Sequence, residues 1–514
     1  MTAFLLVWRA LGTTDEDRDA VARARTRMAG GEVQSPRPGV VGVGALGDVL
    51  PPQSADAAIG RPFDGPALYV AAIEGGSVVA TDLCAILLTG LVPRRFDPAG
   101  FSGMLWRGGA MDARLPVAGI RAVPPGGRVV LGRDGAEIVA SPLALSRSAS
   151  DDDLTVALEA FARRHDAAAV LSRGGHASLA LLAARHAATG REPEAVTLRW
   201  GRGGDEGVAE AGRAAASVGA RHRVLDVDVP DPDEALTRHL EVVDLPSVDG
   251  FAQATADETL RRASVPLAAS SVGGALLFGA SEALRRAVAP RRTWLDRSRA
   301  PSVRPDPLDV SAQRDVELRA FTRVPLNAAH AALSLLPAAT RETLLSTGSR
   351  PPDPFLPSGA SALDAATELA VRSVLPDTQL RTERPGILRP WLSPELLAVA
   401  LGLPSHARIG RTRRDGWLAR RVRAVHGWAA PRRADSPAGA LDAWARGLLK
   451  DRLASMLAPD RVAATGAFRP AGVSAALERW RQGQGADAFD ARRLLFLAQT
   501  VAWLEREGLR GAPS

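Results

Sequence analysis

One stretch constrains this chain more than any other: residues 167–189, AAAVLSRGGHASLALLAARHAAT. The apolar run Ala167 to Leu171 reads as a buried strand, and Leu179, Leu181, Leu182 and the alanines read as a helix. Between them lies a turn of small residues, Ser172-Arg173-Gly174-Gly175-His176-Ala177-Ser178. A strand, a Gly-rich turn and a helix N-terminus in this order converge backbone N–H groups on one spot. The helix dipole favours negative charge there, so the turn is a candidate anion cradle where a phosphate would sit.

The flanking sequence repeats the same alternation. Leu154–His165 is amphipathic, Ala195–Trp200 and Arg223–Val229 read as strands, and Asp205–Val218, Glu234–Val243 and Gln253–Ala263 read as helices. Val265–Ser270 is a further strand, running into Gly273-Gly274. Such alternation implies parallel strands covered on both faces, with ligands beyond their carboxyl ends. The loops 172–178 and 271–280 both follow strands and are expected side by side at one rim.

Residues 1–150 differ, with strand candidates at Phe4–Trp8 and Arg128–Leu131 and a hairpin of Ala67–Ile73 and Gly76–Ala80 around Glu74-Gly75. Thr14 is placed to cap a polar helix over Asp15–Met28. The polar connector 141–153, SPLALSRSASDDD, is the expected boundary. Residues 285–325, which open RRAVAPRRTWLDRSRAPSVRPDP, read as an exposed basic loop, and 348–358 as a second loop; from 326 onward the rest is expected to be mostly helical.

Composition narrows the function class. At 514 residues, 46% hydrophobic and 24% charged, the chain is globular and has room for two or three domains. No apolar run is long enough for a membrane span. The opening MTAFLLVWRALGTTDED reads as a strand and not a leader. The single cysteine, Cys84, excludes an internal disulfide and points to a reducing cytoplasm. The net charge of +7 permits an acidic partner without requiring nucleic acid, and no specific nucleic-acid partner is expected. The ten tryptophans are scattered singly and read as core or interface anchors.

Several stretches, in order, resemble the asparagine synthetase superfamily, which includes asparagine synthetases, β-lactam synthetases and lasso-peptide cyclases. Val170 to Ser178 is similar to the family's pyrophosphate loop, V-L-L-S-G-G-x-D-S-S. Thr197, Asp205-Glu206 and His222 resemble the β-α-β segment that follows it. Gly273-Gly274-Ala275-Leu276-Leu277-Phe278-Gly279 resembles G-G-D-E-L-F-G. Arg389-Pro390-Trp391-Leu392-Ser393-Pro394-Glu395-Leu396, with Leu401-Gly402-Leu403-Pro404, resembles R-x-P-F-L-D-x-x-L…L-P, and Gly416–Arg420 the late K-x-x-L-R element. Near the start, Gly119-Ile120 with Pro124-Pro125-Gly126, and Ala80-Thr81-Asp82, resemble turns of the glutaminase-like domain.

The resemblance implies an α/β fold. An N-terminal degenerate glutaminase-like (Ntn-type) β domain would span 1–150. A Rossmann-like adenine-nucleotide α-hydrolase (PP-loop) synthetase domain would span 151–514, with its α/β core at about 154–285 and a helical remainder. It also implies ATP and Mg²⁺ as cofactors, and Ser172, Arg173, Gly174, Gly175, Ser178, Gly273 and Gly274 as the nucleotide-binding residues.

The departures cluster on one expected site. The loop Asp is replaced by His176, or by Ala177 with a shift of one residue; the acidic pair is Ala275-Leu276, the Lys is Gly416, and the later Asp is Ser393. Mg²⁺ needs hard oxygen ligands that these residues lack, so ATP and Mg²⁺ binding is expected to be weak or lost. Arg173 adds a cation that could hold a phosphate without metal.

The N-terminal Cys of the family's glutaminases is Thr2 here, and ammonia release from glutamine is not expected. No metal site is expected: His222 and His176 lack metal-ligand spacing to each other or to Cys84. Asp205 and Glu206 read as first-turn acids, and Ser172 lacks the partners of a hydrolase nucleophile, so no catalytic residue is assigned.

Three functions remain open: an accessory protein with an eroded site in peptide natural-product assembly, a divergent but active ATP-dependent amide ligase, or an interaction module using the basic 285–304 segment. The first two imply a peptide or small carboxylate/amine substrate; the first also implies a partner synthetase or other biosynthetic enzyme.

Overall fold

The computed structural model describes residues 4–9, 13–25, 33–37, 40–44, 57–62, 65–107, 114–132, 135–139, 149–201, 205–278, 334–347, 386–403, 417–428, 437–483 and 491–511. Thr2, Gly416, the basic 285–304 segment and the 348–358 loop lie outside the described residues.

The N-terminal part holds two antiparallel sheets. The larger runs Val33–Arg37, Val40–Gly44, Phe4–Arg9, Gly76–Ala80, Tyr69–Ile73, Ile120–Ala122, and the smaller Ala57–Gly60, Arg128–Gly132, Gly135–Val139. Strand alternation explains the layering. Phe4, Leu6 and Trp8 point with Val70 and Val79 toward Ile59, Val129 and Leu131 of the smaller sheet. Leu5, Val7, Val78 and Ala80 point the other way, onto the helices Asp15–Ala24 and Leu83–Thr89. Thr14 caps the first of these helices in a reciprocal pair with Asp17. The hairpin turn at Glu74-Gly75 is made by Gly75 at φ +65°.

Sequence reading missed five strands here: 33–37, 40–44, 57–60, 120–122 and 135–139. Pro38-Gly39 was the available signal for the first two, since such a pair marks a turn between strands.

The second sheet is parallel. Its order is Arg221–Asp226, Glu194–Arg199, Ala169–Leu171, Leu267–Ala269, Gly386–Leu388. The chain therefore builds outward from Ala169–Leu171 in one direction, then returns to its other side. That reversal is a topological switch point, and it lies between the strands that carry the two Gly-rich loops.

Several element ends differ from the sequence reading, for instance Val265–Ser270, which is a strand only over Leu267–Ala269. Asp151–Asp153 belong to the helix Asp151–Arg164, capped by Ser150 with Asp153, so the connector ends at 150. The helix after the Gly-rich turn starts at His176 rather than Ser178. Gly386–Leu388 was assigned to the helical remainder and is the edge strand of the parallel sheet. Three residues carry no periodicity; only pairing with Leu267–Ala269 makes them a strand.

The C-terminal helices do not pack on the parallel sheet alone. Leu441, Phe468, Val473, Leu495 and Trp503 share one core with Leu83, Phe101 and the inner face of the large antiparallel sheet. Phe101 meets Phe468 edge-on at 5.2 Å. Among the described residues no helix is long and apolar enough to cross a membrane.

Candidate functional site

Both Gly-rich loops leave the sheet at the switch point, where Val170 pairs with Ala269. Their contact is close. A Cβ on Gly274 would stand 2.6 Å from the Cβ of Ala177 and 3.0 Å from the Trp391 ring, so only glycine fits. Gly273 has φ +96° and packs on Leu392. These two glycines thus act through packing: both are buried and hold the second loop against the first.

Within the first loop, the carbonyls of Ser172, Gly174 and Gly175 are tied down by hydrogen bonds. Ser172 donates its N–H to Val196 O (2.9 Å), and its own carbonyl accepts from Thr197 Oγ1 (2.7 Å). Gly174, at φ +72°, offers its carbonyl to Trp428 Nε1 at 3.0 Å. The Ser172 hydroxyl accepts from Gly174 N (3.2 Å) and pairs with Ser178 Oγ (3.0 Å), whose proton reaches Gly175 O (2.9 Å). Ser172 and Ser178 are buried and spent on shaping the turn, and no general base stands in this network. Gly174 sits over Ala211, where a Cβ would fall 3.3 Å from its Cα.

The helix His176–Thr189 begins at Gly175 with no side-chain cap and no acid in its first turn. Its positive end is therefore left for a ligand from outside the helix. Arg173 is exposed on the same loop. Ser172, Arg173, Gly174, Gly175, Ser178, Gly273 and Gly274 are thus brought together at one rim, held by Trp428, which the sequence reading missed, and by Trp391, which it quoted in the Arg389–Leu396 segment without a contact to the loops. Trp428 follows the helix Trp417–His426 through Gly427 at φ +64°, and no local pattern marks it. Trp391 is fully buried against Gly274. It packs edge-on with Phe278 at 5.5 Å, and Phe278 stacks on Trp417 at 5.2 Å. Among the described residues, Trp8, Trp391, Trp417, Trp480 and Trp503 are buried, and not all tryptophans stand singly: Trp200 lies 6.5 Å from Trp444.

The remaining candidates have structural partners. Asp205 opens the helix Asp205–Ala216 and pairs with Arg199 at 3.0 Å, and Arg199 also binds Asp226. Those hydrogen bonds to Asp226 and then Asp205 raise the Arg199 pKa further. Ser393 caps the helix Pro394–Gly402 by accepting from Leu396 N. His222 Nε2 lies 2.9 Å from Thr197 Oγ1, and burial pushes this imidazole below its usual pKa.

The helix start at Gly175, with no side-chain cap and no acid in its first turn, suits an anion such as phosphate. Mg²⁺ does not fit. The positions that would supply carboxylates are His176 or Ala177 and Ala275-Leu276, and the contact between the loops is hydrocarbon.

The sequence reading expected no metal ligands; among the described residues one cluster has the spacing to be tested, Asp82, Cys84 and Asp244, and it lies in the core behind the antiparallel sheet. There Asp244 Oδ1 accepts from Leu83 N (2.7 Å) and Cys84 N (3.2 Å). Burial, then the nearby carboxylates of Asp244 and Asp82, push the Cys84 thiol well up, and Arg506 reaches its sulfur at 3.2 Å. This is a protonated thiol in a structural network.

A sequence profile of asparagine synthase matches residues 176–505, well over half of the chain, and begins at the first residue of the helix behind the loop. Among curated proteins, none matches the chain. With the loop pair at the switch point, and a profile that starts within the first loop and runs through the second over more than half of the chain, the chain belongs to the asparagine synthase family.

Proposed function

We propose that this asparagine synthase-like protein keeps the family's anion cradle but has an eroded metal site, and serves as an accessory protein in peptide natural-product assembly beside an intact synthetase. One observation carries the reading. Where the two loops meet and carboxylates would have to face a metal, Gly274 packs against Ala177 and the Trp391 ring. In the same reading residues 1–150 are a degenerate glutaminase-like, Ntn-type domain and 151–514 a PP-loop synthetase domain, supported by the two antiparallel sheets and the switch point. A cytoplasmic location suits a chain whose one cysteine is buried and reduced.

A second reading, an active ATP-dependent amide ligase acting on a peptide or small carboxylate/amine, is favoured by the uncapped helix end with Arg173 beside it. An interaction module built on 285–304 has no support from the described residues.

Calorimetry with ATP, with and without Mg²⁺, on the parent and on Arg173→Ala separates the first two. Loss of two charge-assisted contacts, each worth roughly 1.5–3 kcal/mol, weakens Mg·ATP binding by about two to four decades. The accessory reading expects millimolar or absent binding, no Mg²⁺ dependence and no pyrophosphate release. Micromolar, Mg²⁺-dependent binding overturns it. Metal-independent binding lost in Arg173→Ala establishes a rewired phosphate site instead.

A further inference from the structure

The Thr197 hydroxyl stands between two groups. It is 2.7 Å from the Ser172 carbonyl and 2.9 Å from His222 Nε2. A hydroxyl has one proton, and a carbonyl can only accept, so that proton goes to Ser172 O. Thr197 Oγ1 then faces His222 with a lone pair, and His222 must present an Nε2–H. In the neutral ring Nδ1 is thereby bare. It lies against the helix Asp205–Ala216 at Gly212, where a Cβ would fall 3.0 Å from it. The same helix supports the loop, since Gly174 sits over Ala211.

We propose that His222 is a positioning residue for the anion cradle: acting through Thr197 it fixes the Ser172 carbonyl, and only the uncharged imidazole can do so without pushing the helix Asp205–Ala216 off the loop. The inference rests on the cradle described under Proposed function and assigns its positioning group.

A second proton on His222 goes to Nδ1, which places an N–H against helix backbone at Gly212. Other charges around the ring are already committed. On the neighbouring strand Glu194 pairs with Arg221 and Arg223, and Arg199 with Asp205 and Asp226. On the helix Gly250–Arg262, Glu258 is held by Arg261 and Arg262. Glu210 and Arg213 flank Gly212 on the helix that faces Nδ1. None of these shifts His222; burial alone lowers its pKa. The neutral ring therefore prevails at neutral pH, and the strut loosens as pH falls below the ordinary histidine value of 6.5.

The test uses the full chain. Long-range ¹⁵N–¹H spectra at pH 7.5 report the His222 tautomer, and hydrogen exchange reports opening of 173–179 between pH 7.5 and 5, corrected for intrinsic chemistry. The expected results are an Nε2–H tautomer and loop opening that rises by up to about tenfold per pH unit as pH falls from 6.5 toward the lowered His222 pKa, and levels off below it. His222→Gln keeps an amide donor for Thr197 and does not titrate, so its loop exchange should stay flat with pH. Thr197→Val should open the loop at every pH, and Thr197→Ser should restore it.

An Nδ1–H tautomer, a flat parent profile, or a parent-like profile in His222→Gln overturns the inference. Calorimetry with inorganic pyrophosphate over the same range is the separate arm. If pyrophosphate binds at no pH while loop opening still follows His222, the cradle reading falls and the positioning role stands. If it binds, its affinity should decline with acid in the parent and not in His222→Gln.

Discussion

Ala177 and Gly274 touch across the switch point so closely that a Cβ on Gly274 would stand 2.6 Å from that of Ala177. The contact joins two loops far apart in sequence, and Trp391 backs it at 3.0 Å. Gly274→Ala must displace one of these groups and should destabilise the protein by about 1–3 kcal/mol in urea denaturation. Ala177→Gly restores the space, so the double variant should recover part of the loss. Additive effects would mean that the loops are not in contact in solution.

Asp17 is a fully buried carboxylate tied to Arg9 at 2.7 Å and to Thr14. Burial alone would raise its pKa, but the Arg9 and Thr14 hydrogen bonds together bring it below the ordinary 3.8. A depressed folded pKa means that the stabilisation is complete above 3.8 and is lost as pH falls through the folded value. Asp17→Asn should lower stability at pH 7 by about 2–4 kcal/mol, because Arg9 loses its charge partner. Thermal melts of parent and variant should converge at the acid end of the range; a constant difference would contradict this assignment.

Asp244 ties the helix Leu83–Thr89 to the C-terminal helix. Its carboxylate takes two backbone N–H groups, from Leu83 and Cys84, and its carbonyl accepts from Trp503 Nε1 at 2.8 Å. Asp244→Ala strands two buried donors and should cost about 2–5 kcal/mol. Trp503 fluorescence during denaturation reads it directly. A change below about 0.5 kcal/mol would show that the network does not bear on stability.

Thr2 stands where the family's glutaminases carry their nucleophilic cysteine. We expect no ammonia release from glutamine, and no change in Thr2→Ala. Release that disappears in that variant would establish an N-terminal threonine nucleophile.

The strand, turn and helix around Ser172 were legible because each uses local chemistry: apolar β-branched or aliphatic residues, Gly174 at positive φ, then an alanine- and leucine-rich helix. The caps at Thr14 and Ser150 are local in the same sense, though Ser150 was read as connector. Which residues stand at the positions compared with the family's carboxylates also needs only residue identity. Trp428 was invisible as a loop partner, since it meets Gly174 from 254 positions away, and nothing local shows that Trp391, although part of the segment Arg389–Leu396, meets Gly274 from more than 100 positions away.

The amino-acid sequence determined the alternating α/β character of the middle, the Gly-rich turn, and which side chains are missing from it, because these follow from periodicity and composition over a few residues. Tertiary structure decided the rest. Gly386–Leu388 is a strand only through pairing with Leu267–Ala269. The two loops form one site only because the sheet reverses direction between their strands. His222 acquires a defined tautomer only because Thr197 spends its single proton on Ser172. Each of these depends on hydrogen-bond partners brought together across the fold, and no local pattern encodes who the partner is.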